Sequence, residues 1–170
     1  VGYNGSTYYE TPNINKLAAE GMVFTDAYAA CPVCSPTRAS IMTGKYPARL
    51  HLTEYIMGRR KGKVIPPDAM DHLKLEEITI AEALKQAGYK TFIAGKWHLG
   101  EEKYYPENQG FDINAGGQRQ GWGWRHISPY RKLNIEDGPR GEYLADRLTD
   151  ESIKFLEAQK GSDKPFFLYL

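Results

Sequence analysis

The stretch Cys31-Pro-Val-Cys-Ser-Pro-Thr-Arg-Ala-Ser-Ile-Met-Thr-Gly44 packs a thiol, a guanidinium and a helix start into one segment. Pro36 suits the first turn of a helix, where its missing N–H costs nothing. Ser35 is the candidate N-cap and Gly44 the stop. Cys34 is then expected just before a helix N-terminus, where free N–H groups and the macrodipole attract an anion. Arg38, one turn further in, carries a planar fork that can reach the same spot. Lys96-Trp-His98 adds a point charge and a side chain that exchanges a proton near neutral pH. Taken alone, a Lys-x-His pair is more often surface than catalytic. Gly121-Trp-Gly-Trp-Arg-His126 offers Trp122 and Trp124 beside Arg125 and His126. Two such rings suit stacking on a sugar and contact with its anionic group, or simply cover a hydrophobic edge.

Other chemistries compete for the same residues. Cys31-Pro-Val-Cys34 has the C-x-x-C spacing of thiol–disulfide exchange at a helix N-terminus. That scheme leaves Lys96 and His98 without a role. Zinc would need two more ligands, and the spacing of His51 and His98 does not supply them. A plain cysteine is also a poor ester-cleaving nucleophile, because its thiol has a pKa of about 8.5 unless perturbed.

The elements that must position these groups read in order. Thr11-Pro-Asn-Ile-Asn-Lys-Leu-Ala-Ala-Glu-Gly21 is a helix, with Thr11 as cap, Pro12 in the first turn and Gly21 as stop. Ile14, Leu17 and Ala18 share a face suited to packing on a sheet. Met22 to Tyr28 alternates like a strand. Residues 45–75 are irregular, with Pro47, Pro66, Pro67 and the basic run Arg59-Arg-Lys-Gly-Lys63, either a solvated loop or a rim for an anionic substrate. Thr79-Ile-Ala-Glu82 is a capping box opening a helix that ends at Gly88. Lys90 to Gly95 is a short buried strand, so Lys96 and His98 follow its carboxyl end, where ligands gather in α/β sheets. In an extended segment those two side chains would share a face. Residues 100–142 form a long excursion rich in glycine and aromatics. Glu142 to Lys160 is a helix with Leu144, Leu148, Ser152 and Leu156 in a stripe that Ile153 and Phe155 widen, stopped by Gly161. Lys164 to Leu170 reads as a buried strand. Helices alternating with short apolar strands predict an α/β fold with a mostly parallel sheet flanked by helices.

Bulk properties narrow the classes. At 170 residues the chain is one domain with room for a core. It is 41% apolar and 25% charged, ordinary for a globular protein. A net charge of +1 gives no global field pointing to nucleic acid. No apolar run reaches the ~18 residues of a membrane span. The start, Val1-Gly-Tyr-Asn-Gly5, is neither a signal peptide nor a methionine start, so the chain is expected to begin inside a larger one. A strand at the very end points the same way.

Cys34-Ser-Pro-Thr-Arg38 with Thr43-Gly44 resembles the first signature of the type I sulfatases, within the alkaline-phosphatase-like superfamily. Gly88-Tyr-Lys-Thr-Phe-Ile-Ala-Gly-Lys-Trp-His98 resembles their second. Thr11 to Tyr28 is similar to the segment before the signature, and Lys45 to Ile56 to polysaccharide-active bacterial sulfatases. The likeness runs over nearly the whole chain, with Thr37 in place of the commoner serine.

That resemblance implies a mechanism. A maturation enzyme that reads Cys-x-Pro-x-Arg oxidises Cys34 to formylglycine, whose aldehyde hydrates to a diol. One hydroxyl, held on Ca2+ or Mg2+, attacks sulfur, and the other later loses its proton and expels sulfate. Arg38 holds the diol, Lys96 neutralises the sulfate, and His98 is the base for sulfate expulsion. Residues 1–170 then form the N-terminal part of a catalytic domain, lacking the first metal-ligand strand and the C-terminal half. Cys34, as formylglycine, is the one metal ligand implied here, so this piece alone is expected to bind metal weakly and turn over little substrate. The implied substrate is a sulfate ester, with a sulfated carbohydrate favoured, and the implied parent is a bacterial periplasmic or secreted protein. A phosphonate or phosphodiester hydrolase of the same superfamily, or a non-catalytic relative that binds sulfated glycan, fits the same residues.

Overall fold

A computed structural model describes residues 1–57, 63–64, 68–121, 125–131 and 133–170. Trp122, Trp124, most of the basic run at 59–63, and Pro66 and Pro67 lie outside the described residues.

Three parallel strands form the sheet: β1 Lys90–Ala94, β2 Ile113–Ala115 and β3 Phe166–Tyr169, in the order β2-β1-β3. Phe92 faces Ile113 on one side of the central strand and Leu168 on the other. Alternation along β1 sends its side chains to opposite faces. Phe92 and Ala94 meet Phe155 and Leu148 of helix α5, Leu144–Ala158. Ile93 meets the other face, with Ala39 and Met42 of α2, Cys34–Thr43, Ala81 of α4, Ile80–Gln86, and Trp97, Leu99 and Phe111. The short helix α3, Pro47–Leu50, adds Leu50 to the same cluster. Helices on both faces of a parallel sheet make the predicted α/β sandwich.

The capping box at Thr79 and the stop at Gly44 are found where expected. Thr79 Oγ1 accepts from the Glu82 N–H at 3.1 Å while Glu82 Oε2 accepts from the Thr79 N–H at 2.8 Å, a complete capping box. Gly44 ends α2 with φ 68°, a left-handed geometry that glycine takes without penalty, and its N–H donates to the Ser40 carbonyl at 2.8 Å.

Several expectations need correction. Residues 22–28 form no strand, and every one of them is exposed. The alternation is there, but no neighbouring strand among the described residues pairs with it. Helix α1, Pro12–Glu20, exists, yet it buries no residue. Thr11 sits at its N-cap but turns away: Oγ1 accepts from the Gly2 N–H at 2.8 Å and donates to Asn15. The excursion contains β2, too short to show a period. On α5 the buried face is Leu144, Ser152 and Phe155, with Leu156 and Ile153 exposed, because the sheet meets an i, i+8, i+11 track. The last strand is an edge: Phe166 is 44% exposed and its companions are half-buried, since β1 is its one neighbour among the described residues.

Candidate active site

Helix α2 already contains Cys34. Val33, extended at φ −119° and ψ 163°, is the N-cap and offers no side-chain cap. Ser35 therefore is not the cap predicted above; it lies inside the first turn, fully buried, and its Oγ accepts from the Ile56 N–H at 3.0 Å. Thr37 folds the preceding loop back on the helix, donating to the Cys31 carbonyl at 2.6 Å and accepting from the Cys31 N–H at 3.2 Å. Cys34 thus presents its thiol at a helix start held on both flanks.

His98 comes to meet it. Its Nδ1 stands 3.3 Å from Cys34 Sγ, although the two are far apart in the chain. Its Nε2 lies 2.9 Å from the Ile56 carbonyl oxygen. A carbonyl only accepts, so Nε2 carries the hydrogen and Nδ1 offers its lone pair to residue 34. The backbone reaches this pose at φ 60°, with the His98 N–H donating to the Gln118 carbonyl at 2.9 Å. The side chain is 1% exposed. Burial pushes its pKa below the usual 6.5, the charges of Lys96 and Arg38 push the same way, and the hydrogen bond to Ile56 opposes them. The imidazole is therefore neutral at neutral pH.

Arg38 hydrogen-bonds through Nη1 to the Lys96 carbonyl and, at 3.5 Å, to the Tyr169 hydroxyl, with Cζ 5.9 Å from that ring's centre. It therefore ties α2 to the turn after β1 and to β3, and it makes no hydrogen bond to the Cys34 thiol. Residues 95–98 are not extended, since Gly95 has φ 97° and His98 is left-handed. Lys96 and His98 consequently diverge. Lys96 is half-buried and lines a cavity of about 150 Å³ with Gly95, Gly116, Gln118, Gln120, Leu144 and Leu148, and its ammonium has no hydrogen-bond partner among the described residues. Trp97 turns into the core, where Nε1 donates to the Tyr104 carbonyl at 2.7 Å.

The other candidates stand apart. Arg125 and His126 are exposed, and the His126 carbonyl accepts from the Leu144 N–H at 2.8 Å. Trp122 and Trp124 lie outside the described residues. His51 is exposed at the end of α3, and no trio of His, Cys, Asp or Glu among the described residues can hold a metal. A hard divalent cation wants about six oxygens. The side chain shown to meet position 34 is the His98 imidazole, a nitrogen donor rather than the oxygens such a cation takes. Both cysteines are free thiols.

Three contributors escaped the sequence: the Ile56 carbonyl, the Gln118 carbonyl and Gly121. A Cβ on Gly121 would lie 2.6 Å from His98 Cε1, so the chain passes over the imidazole where only glycine fits. Main-chain carbonyls leave no residue signature. Gly121 did leave one, inside a stretch noticed for its tryptophans.

A cysteine at a helix start, a buried imidazole beside it and, past the end of a parallel strand, a lysine with no hydrogen-bond partner among the described residues mark the polar site of an α/β fold. The Sulfatase family model matches residues 1–170. The chain belongs to the sulfatase family. It is 32% identical to N-acetylgalactosamine-6-sulfatase of Mus musculus over 188 residues, covering 99% of this chain and 36% of that protein. It is equally 32% identical to arylsulfatase G of Homo sapiens, covering 100% of this chain and 37% of that one. The chain thus spans about a third of the length of the curated relatives it matches. Among solved structures it is similar to Ps i-CgsB in complex with k-i-k-neocarrahexaose, with TM-score 0.80 and 29% identity over 99% of this chain and 40% of that one. It is also similar to BT4656 in complex with its substrate D-glucosamine-2-N,6-O-disulfate, with TM-score 0.68 and 27% identity over 99% of this chain and 30% of that one. The sheet and its flanking helices are therefore those of a sulfatase.

Proposed function

We propose that this chain supplies the nucleophile, the base and one sulfate-binding cation of an enzyme that hydrolyses sulfate esters of carbohydrates. The observation that carries the reading is the 3.3 Å approach of His98 Nδ1 to Cys34 Sγ at the start of α2. The family resemblance assigns Cys34 to conversion into formylglycine by a maturation enzyme that reads Cys34, Pro36 and Arg38. A hydrated aldehyde there supplies one hydroxyl to attack sulfur and a second to release it.

The remaining work falls to residues of this chain. His98, with its lone pair directed at residue 34, takes the proton of a hydroxyl there as sulfate leaves. Lys96 offers its ammonium to the sulfuryl oxygens. Arg38 holds the turn at 96 against α2 and keeps a positive field over residue 34. Residue 34 would contribute one ligand to a divalent cation, and the rest would come from elsewhere in the complete enzyme. The chain alone is therefore expected to bind Ca2+ weakly. Arg125 and His126, with Trp122 and Trp124, are proposed to contact the sugar. The carbohydrate preference is supported by the two solved relatives, one in complex with k-i-k-neocarrahexaose and one with D-glucosamine-2-N,6-O-disulfate. Export of the parent to the periplasm or medium follows from where polymeric sulfated glycans are met. No helix among the described residues is long and apolar enough to cross a membrane.

The test is the mass of the peptide containing residue 34, followed by turnover. An aldehyde at 34, with sulfate release from a sulfated oligosaccharide falling by about 10³ or more in Cys34→Ala, is the expected result. A reversible 31–34 disulfide, or unchanged sulfate release in that variant, overturns it.

A further inference from the structure

Three contacts at the site form a closed path. Ser35 Oγ accepts from the Ile56 N–H at 3.0 Å, the Ile56 carbonyl accepts from His98 Nε2 at 2.9 Å, and His98 Nδ1 faces Cys34 Sγ at 3.3 Å. Cys34 and Ser35 are adjacent, so the path begins and ends on the first turn of α2. Of the residues on it, Ser35 is 0%, Ile56 2% and His98 1% exposed, while Cys34 is partly exposed at its open end. We infer that Ser35 is a positioning residue for His98, acting through the Ile56 backbone to fix which imidazole nitrogen faces residue 34.

The physical argument is one of satisfied donors. A buried N–H left without an acceptor keeps the full cost of its lost hydration, so an Ile56 amide deprived of Ser35 has reason to turn toward another partner. The Ile56 N–H and carbonyl lie on the two peptides that flank its Cα, so such a turn reaches the carbonyl through the Ile56 φ and ψ, and Met57, next in the chain at φ 68°, leaves that second peptide little slack to absorb it. Once that carbonyl moves, nothing in the described surroundings requires the hydrogen to stay on Nε2. The alternative tautomer places an N–H, rather than a lone pair, against residue 34, and a base so oriented cannot accept the proton. Ser35 has no path to the sulfate of its own. It touches the reaction through the Ile56 backbone, whose N–H it accepts from and whose carbonyl meets His98, so it differs from Cys34, Lys96 and His98 in kind.

This inference rests on the reading of His98 as the base, and the experiment separates the two. In the complete enzyme, 15N NMR of the imidazoles in the unconverted thiol form should show His98 protonated at Nε2. Ser35→Ala should bring up the Nδ1-protonated form. It should also lower kcat, normalised to aldehyde content at residue 34, about tenfold or more while KM stays within about twofold. Ser35→Thr, which keeps the oxygen, should retain the native tautomer and most of kcat. His98 protonated at Nδ1 in the wild type overturns the inference without any variant. So does Ser35→Ala with native tautomer and native kcat in an enzyme that His98→Ala inactivates. Full sulfate release in His98→Ala would instead bring down the functional reading itself.

Discussion

Helices α1 and α2 carry nearly the same local punctuation, each with a proline in its first turn and a glycine at its end. Of the two, α1 is the more amphipathic, yet it buries nothing, while α2 buries Ser35, Pro36, Ala39 and Met42. Around α1 the apolar side chains stand open, with Leu17 71%, Met22 79% and Phe24 74% exposed. The first turn of α2 is instead tied to residue 56, and Arg38 ties the helix to the turn at 96. An apolar stripe states that a helix needs a cover, not what covers it. In this chain the covered helix is the one proposed to carry chemistry, and a nucleophile requires neighbours at fixed distances, which packing supplies.

If packing around α2 is what sets the chemistry, crowding that packing should matter most. Gly121→Ala puts a methyl group against the His98 ring. In the complete enzyme kcat should fall between about tenfold and a hundredfold, measured beside circular dichroism showing an unchanged fold. An unchanged kcat would mean that the strap over His98 is slack. Thr79→Ala breaks a cap that is 1% exposed and that also donates to the Gln109 carbonyl at 2.7 Å. Thermal or urea unfolding should show a loss of about 1–2 kcal/mol, most of it restored by Ser.

Acidification probes the same contrast. His98 has its folded pKa held below the unfolded 6.5, first by burial. The stability linked to that group is therefore complete above the unfolded value and is lost as pH falls through the folded one. Melting temperature should decline on the acid side of about pH 6.5. His98→Asn should flatten that decline between there and the range where Asp71 and Asp112, themselves depressed, begin to protonate. A change on the exposed helix should do least: Leu17→Ser should shift the stability of this chain by no more than about 0.5 kcal/mol by urea titration. A larger loss would show that α1 is covered in solution and would erase the contrast.

Much of this was readable before any coordinates. The capping box at Thr79, the stop at Gly44, strand β1 and helix α5 announce themselves through signals lying within a few residues of each other. Cys34, Arg38, Lys96 and His98 were proposed from their likeness to the two sulfatase signatures. Other features depended on partners distant in the chain. Residues 22–28 alternate like a strand and have none to pair with, while β2 shows no period and is a strand only because Phe92, Ile93 and Ala94 lie beside it.

Residue identity and short-range order thus belong to the sequence, since caps, stops and periodicity act over a turn or two. Tertiary structure alone decided that the imidazole of His98 finds the carbonyl of Ile56, that Gly121 passes over its ring, and that Lys96 and His98 part company after β1. The physical reason is that every residue carries the same carbonyl and, proline apart, the same N–H. Which of them meets a given side chain depends on how distant segments pack, and no local pattern encodes that.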